Sequence, residues 1–138
     1  MRTFIDTNII LCAAGGAHPQ KEACIRVLRK IADGTIEATI NSEVLQEILY
    51  VLVRRGRREE AATLVHHLAT LFPDLLPVTR EDLLEACALI RRCPGLPVRD
   101  AVHAATMTGS GIRDIISVDS DFDAVEGLRR FDPNKLPI

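Results

Sequence analysis

The sequence predicts an α/β fold, a three-layer α/β/α sandwich around a central, mainly parallel sheet. Three observations carry that expectation. Short apolar runs alternate along the chain with longer segments of helical periodicity, the order expected of parallel strands joined by helices. Two of the short runs stop abruptly at aspartate, in FID at Asp6 and in ISVD at Asp119. The 138 residues hold no internal repeat, no low-complexity tract and no long linker, so one domain over 1–138 is expected.

Each element has a local reason. Residues 2–5 form the first strand candidate, and Thr7 and Asn8 are good helix-starting residues ahead of the apolar run 9–11. After Gly15-Gly16, the residues Cys24, Val27, Leu28 and Ile31 repeat at helical spacing until Gly34 stops them. Residues 36–40 read as a second strand. Asn41 or Ser42 then caps a helix carrying Leu45, Ile48, Leu49 and Leu52. That helix is apolar nearly all round from 45 to 53, Tyr50 included, which favours a place in the core. Gly56 breaks it within RRGRR, and a further helix runs over 58–72 until Pro73. A brief strand is expected at 75–78. Thr79 with Asp82 resembles a capping box opening a helix to about 92. CPGLP forces a loop, and 98–108 is an Ala-rich helix closed by Gly109. Strands at 115–117 and 129–131 flank DSDFD.

Composition narrows the function classes. Apolar residues make up 47% and charged residues 26%, the balance of an ordinary globular protein rather than a disordered one. Seventeen basic against nineteen acidic residues leave a net charge of −2, so bulk positive charge cannot drive nucleic-acid binding. A carboxylate interrupts the N-terminal apolar stretch too early for a signal peptide, and no apolar run reaches the ~20 residues that span a bilayer. No membrane partner is therefore expected. Cys12, Cys24, Cys87 and Cys93 form no C-x-x-C pair and read as reduced, buried thiols of a cytoplasmic protein.

The chemistry sits in carboxylates that interrupt apolar surroundings. Ligands of open parallel sheets gather beyond the C-terminal strand ends, where Asp6 and Asp119 fall. Glu47 lies within SEVLQEIL and Asp100 opens RDAVHAAT. Burying such groups is costly unless a cation or hydrogen-bond donors balance them. Carboxylates without a partnering Lys suggest a hard divalent cation, which takes oxygen ligands and leaves positions for phosphate. Duller explanations compete. Asp6 and Asp100 could be helix-start acids, Glu47 a solvated helix residue with Glu43 as its rival, and Asp119, Asp121 and Asp123 turn residues. Each acid alone is weak; their order and surroundings together are informative.

With FIDTNI, SEVLQEIL, RDAVHAAT and ISVDSDF in that order, nearly the whole chain resembles the PIN-domain family, and within it the VapC toxin ribonucleases. The resemblance implies a parallel sheet sandwiched by helices and an endoribonuclease using Mg2+ or Mn2+. It implies catalytic roles for Asp6, Glu47, Asp100 and Asp119, with Asp6, Asp100 and Asp119 as metal ligands and Asn8 orienting the site. Ser117 stands where the family usually shows Thr, retaining a hydroxyl, and Asp121 supports or shares the role of Asp119. The implied reaction is in-line hydrolysis of RNA that leaves a 5′-phosphate and a 3′-hydroxyl. The implied partners are an RNA substrate, a small antitoxin and a second copy of the chain.

Arginine outnumbers lysine 14 to 3, which suits bidentate phosphate contacts. Arg54 and Arg55 in the RRGRR stretch, and Arg99 beside Asp100, are the weaker RNA-binding candidates, against a reading of RRGRR as a solvated helix end. Five aromatic residues without Trp make base stacking a poor model of recognition. The adjacent His66 and His67 lack the i, i+4 spacing of a zinc helix, and His103 is placed on a different side of its helix from Asp100. A haloacid-dehalogenase-type phosphatase would need Asp where Asn8 stands, and no glycine-rich nucleotide loop follows the first strand. A catalytically silent PIN scaffold and an antitoxin-free RNA-processing nuclease remain the alternatives.

Overall fold

The computed structural model describes residues 2–136. Strands β1 (Thr3–Ile5), β2 (Ala38–Thr39), β3 (Asp114–Ile116) and β4 (Arg129–Phe131) form one sheet in the order β2-β1-β3-β4, with every adjacent pair parallel. Helices α1 (Thr7–Ala14) and α2 (Lys21–Ala32) connect β1 to β2. Helices α3 (Ser42–Arg54), α4 (Arg58–Leu71), α5 (Arg80–Arg92) and α6 (Val98–Gly109) connect β2 to β3, and a short 3-10 turn (Ser120–Ala124) precedes β4. The first connection steps outward from β1 and the second steps back across it. Right-handed crossovers then require the two helical groups to flank opposite faces of the sheet. The fold is the expected α/β sandwich, and its strand order reverses at β1. The C-terminal ends of β1 and β3 therefore border the crevice where such sheets bind ligands.

Local chemistry explains most boundaries. Extended backbone continues through Asp6, whose carboxylate caps α1 by accepting the Thr7 N–H at 2.8 Å, so the cap lies one residue earlier than Thr7. Asn41 caps α3 through the Val44 N–H at 2.9 Å, and Thr79 and Asp82 form the reciprocal capping box at α5. Gly34 leaves α2 at φ +84°, a conformation that glycine adopts without strain. The strand expected at 75–78 shrinks to one parallel bridge, in which Leu76 donates to Ile40 (2.8 Å) and accepts from Ser42 (2.9 Å). Pro77 follows at once and has no N–H to extend the ladder.

The main core joins Phe4, Ile5, Ile40 and Ile115 of the sheet region to Ile9, Val27, Val44, Ile48 and Phe122. Full burial of each such side chain stabilises by roughly 1.5–3 kcal/mol. A second cluster packs α5 on α6 through Ala86, Leu89, Ala101 and Ala105, the three alanines letting the helices approach closely. Two expectations fail here. In α3 only Val44, Ile48 and Leu52 are buried, while Leu49 and Tyr50 face outward, because one stripe of a 3.6-residue helix suffices to meet the core. All four cysteines are free, but only Cys24 is buried, its thiol pushed up to about 12 chiefly by burial, whereas Cys87 is exposed. Among the described residues no helix is long and apolar enough to cross a membrane.

Candidate active site

Ile5 pairs with Ile116, so the residues that follow β1 and β3 emerge side by side. Asp6 and Ser117 meet there, both buried. The Ser117 hydroxyl donates to Asp6 Oδ2 at 2.6 Å and accepts from the Asp119 N–H at 2.9 Å and from Asn8 Nδ2 at 3.2 Å. One donor and two acceptor positions are all a serine hydroxyl offers, and all are used. Burial holds the Asp6 carboxyl above the ordinary aspartate range, with the Ser117 bond acting in the opposite sense.

The first turn of α6 brings Asp100 to this rim. One carboxylate oxygen each of Asp100, Asp119 and Asp121 lies within 4.8 Å of the others. Asp100 Oδ2 is buried and has no hydrogen-bond partner among the described residues. Burial, followed by the negative charges of Asp6 and Asp119, pushes its carboxyl up to about 7. The Asp121 N–H donates to Asp119 Oδ1 at 2.9 Å, which folds the two acids back together. Asp6 stands beside this trio, with both of its oxygens already accepting hydrogen bonds.

Glu47 enters from α3, 13% exposed at its side chain. Its Oε1 accepts from Thr7 Oγ1 at 3.1 Å and lies 2.9 Å from His103 Nε2, while Oε2 is 3.8 Å from Arg99 Nη1. Its rival Glu43 lies one turn earlier, half-buried, its carboxyl raised by burial and by Glu47. The bonds to α1 and α6 are made by Glu47.

Asp6, Asn8, Glu47, Asp100, Ser117, Asp119 and Asp121 thus converge on one crevice, although up to 115 positions separate them in sequence. The PIN domain family model matches residues 3–128. The chain belongs to the PIN-domain family. Ribonuclease VapC13 of Mycobacterium tuberculosis is 32% identical over 127 residues, covering 92% of this chain and 97% of that protein. Ribonuclease VapC7 of the same organism is 32% identical over 86% of this chain and 82% of its own. Among solved structures, FitAcB from Neisseria gonorrhoeae aligns with a TM-score of 0.76 at 16% identity over 99% of this chain and 100% of that one. VapC20 of M. tuberculosis, described as a sarcin-ricin loop cleaving toxin, aligns at 0.75 with 21% identity over 91% and 96%.

Positive charge borders the acids of this PIN domain. Arg54 donates to the Tyr50 hydroxyl at 2.8 Å, and the Arg54 and Arg99 guanidinium carbons lie 5.5 and 5.4 Å from the Tyr50 ring centroid. Arg55 lines a recess of about 300 Å³ together with Asn8, Cys12, His18 and Val118. Arg57, which precedes α4, is by contrast paired with Glu60 of that helix.

Two site residues escaped the sequence reading. His103 is fully buried and shares a face of α6 with Asp100, since a spacing of three brings side chains together; its Nε2 lies 3.9 Å from Asp6 Oδ1. That spacing was the available signal. Arg130 chelates Asp123 with two hydrogen bonds (2.9 and 3.1 Å) and donates to the Ser117 carbonyl at 3.1 Å, clipping the loop that carries Asp119 and Asp121. The sequence marks it only as one of the pair Arg129-Arg130, without this role. Arg130→Met is expected to loosen this loop and lower RNA cleavage by about 10-fold, within the range for lost supporting contacts. It should also speed amide exchange over 118–124, and unchanged exchange there would remove the clip from the account.

Proposed function

We propose that the chain is a metal-dependent endoribonuclease hydrolysing RNA phosphodiester bonds, the toxin of a type II toxin–antitoxin pair. Two features of Asp100 carry this reading: one of its oxygens lies within 4.8 Å of oxygens of Asp119 and Asp121, and its buried Oδ2 has no hydrogen-bond partner among the described residues. A clustered set of hard oxygen donors without a balancing ammonium suits Mg2+ or Mn2+, held by Asp100 and Asp119 with Asp6 and Asp121 adjoining. Such an ion supplies Lewis-acid stabilisation of phosphate charge and a more acidic water. The relatives named as ribonucleases support the substrate class.

The side chains divide the remaining work. Asp6 is held in place by hydrogen bonds from Ser117 and Thr7, and Ser117 transmits that geometry to Asp119 and Asn8. Glu47 completes the anionic rim through Oε2. Arg54, Arg55 and Arg99 would offset phosphate charge, which the acids alone would repel. Water attacks phosphorus in line as the bond to the 3′ oxygen breaks, and that oxygen takes up a proton, leaving a 5′-phosphate and a 3′-hydroxyl.

A small antitoxin is the proposed regulator, since solved neighbours include one described as a toxin–antitoxin complex from Klebsiella pneumoniae. A homodimer in the cytoplasm completes the proposal, and exposed Leu83, Leu84 and Val98 would suit a contact between copies. Purified protein should cut RNA with Mg2+ or Mn2+ and stop with chelator. Asp6→Asn should abolish cutting yet leave the fold intact, because Asn caps a helix as well as Asp does. Retained cutting by Asp6→Asn would remove Asp6 from the mechanism, and cutting in excess chelator would end the metal proposal. Expression alone should slow growth, and a short neighbouring reading frame should relieve it.

A further inference from the structure

His103 has no part in the chemistry proposed so far, yet it sits at the centre of a buried polar chain. Asn41, His103, Thr106 and Thr7 are all 2% exposed or less. The chain has a direction that the hydrogen bonds determine. Asn41 Oδ1 accepts the Val44 N–H at 2.9 Å as the cap of α3, which turns its Nδ2 the other way. The Nδ2 group then lies 3.2 Å from Thr106 Oγ1 and 3.1 Å from His103 Nδ1. Thr106 has already committed its hydroxyl hydrogen to the Val102 carbonyl at 2.9 Å, so it can only accept from Asn41. An amide nitrogen can only donate. His103 Nδ1 is therefore an acceptor, and in the neutral ring the hydrogen resides on Nε2. That hydrogen points at Glu47 Oε1, 2.9 Å away.

We infer that Asn41 and His103 form a positioning relay that holds Glu47 with Oε1 occupied and Oε2 turned to the crevice. The inference rests on the nuclease reading for its catalytic consequence, though not for its geometry. Glu47 has three rotatable side-chain bonds and a competing attraction to Arg99, 3.8 Å from Oε2. Two donors fixed in the core, His103 Nε2 and Thr7 Oγ1, decide which oxygen stays inside. The α3 cap is thereby tied to α6 and to the rim of the crevice. His103 acts through Glu47 and is a positioning residue. Phe4, whose ring centroid lies 5.3 Å from that of the imidazole, keeps the ring from rotating away.

Two nearly isosteric substitutions test this. In His103→Gln the amide nitrogen can occupy the place of Nε2 and still donate to Glu47. In His103→Asn the shorter amide reaches only the place of Nδ1 and leaves Glu47 Oε1 without that donor. Cleavage of an RNA substrate with saturating Mg2+ should show His103→Asn lowering kcat about 10–100-fold with KM nearly unchanged, as loss of an outer-shell partner does. His103→Gln should recover most of that loss. Thermal unfolding of both variants separates misfolding from mispositioning. Nitrogen NMR of the unsubstituted protein should show a neutral ring protonated at Nε2, and the Glu47 carboxyl carbon should shift in His103→Asn and much less in His103→Gln. Equal kcat for the two folded variants, or a ring proton on Nδ1, would overturn the relay. If the unsubstituted protein cuts no RNA, the nuclease reading fails, and the NMR shifts alone then decide for or against the relay.

Discussion

Asp100→Asn is expected to lower RNA cleavage by at least about 10²–10³-fold, the scale on which enzymes lose rate when one charge-stabilising group is removed. The same substitution should raise the melting temperature of the metal-free protein. Asp100 is buried among like charges, and its carboxyl stands at about 7 against an ordinary 3.8. The folded state therefore binds a proton more tightly than the unfolded chain. Well below the ordinary 3.8 the group is protonated in both states and costs nothing. Between pH 4 and 7 the unfolded chain releases the proton first, so stability falls as pH rises, and above 7 the full cost of the buried charge is present. The gain from Asp100→Asn should thus be largest at pH 8 and fade to nothing by about pH 3. Each pKa unit corresponds to about 1.4 kcal/mol. Solvent reaches the open side of the cluster and screens it, so about 1–3 kcal/mol is the expected size. Added Mg2+ or Mn2+ should reverse the order, stabilising the unsubstituted protein and not Asp100→Asn, with apparent affinity weakening as pH drops through 7. Melting curves across pH, with and without the ion, would expose the error if Asp100→Asn were no more stable at pH 8.

Ser117→Ala is the second large effect. The hydroxyl serves Asp6, Asn8 and the Asp119 N–H at once, and Ser117 is fully buried. Removing it strands a buried carboxylate oxygen and a backbone donor, each costing about 1–3 kcal/mol when left unpaired. A loss of about 2–4 kcal/mol is expected because the two penalties partly share relaxation. Cleavage should fall about 10–100-fold, since Asp6 and Asp119 lose the atom that sets their separation. Denaturant unfolding would reveal an unchanged midpoint if Ser117 were a passive spacer. The change is opposite in sign to that of Asp100→Asn. One removes a repelled charge, and the other removes a satisfied partner.

Much of this fold was legible beforehand because its elements are locally encoded. The Thr79–Asp82 box, a cap at Asn41 or Ser42 (the structure has Asn41), Gly34 after α2 and the Ala-rich α6 each follow from a few neighbouring residues. The strand expected at 75–78 was lost to Pro77, whose missing N–H outweighs the apolar pattern around it. Burial was harder to judge. The apolar run of α3 did not reveal that Leu49 and Tyr50 face solvent, because periodicity shows a helix's stripe and not how wide a contact its neighbours provide.

The amino-acid sequence alone determined the class of fold, the family resemblance and the set of carboxylates, because residue type and order are properties of the chain itself. Tertiary structure decided which oxygens meet, that Asp121 joins Asp100 and Asp119 while Asp6 stands beside them, and that His103 faces Glu47. Arg130 acquired its place at the loop in the same way. These are contacts between side chains far apart in sequence. Their distances are set by how strands and helices pack, and no local rule contains them.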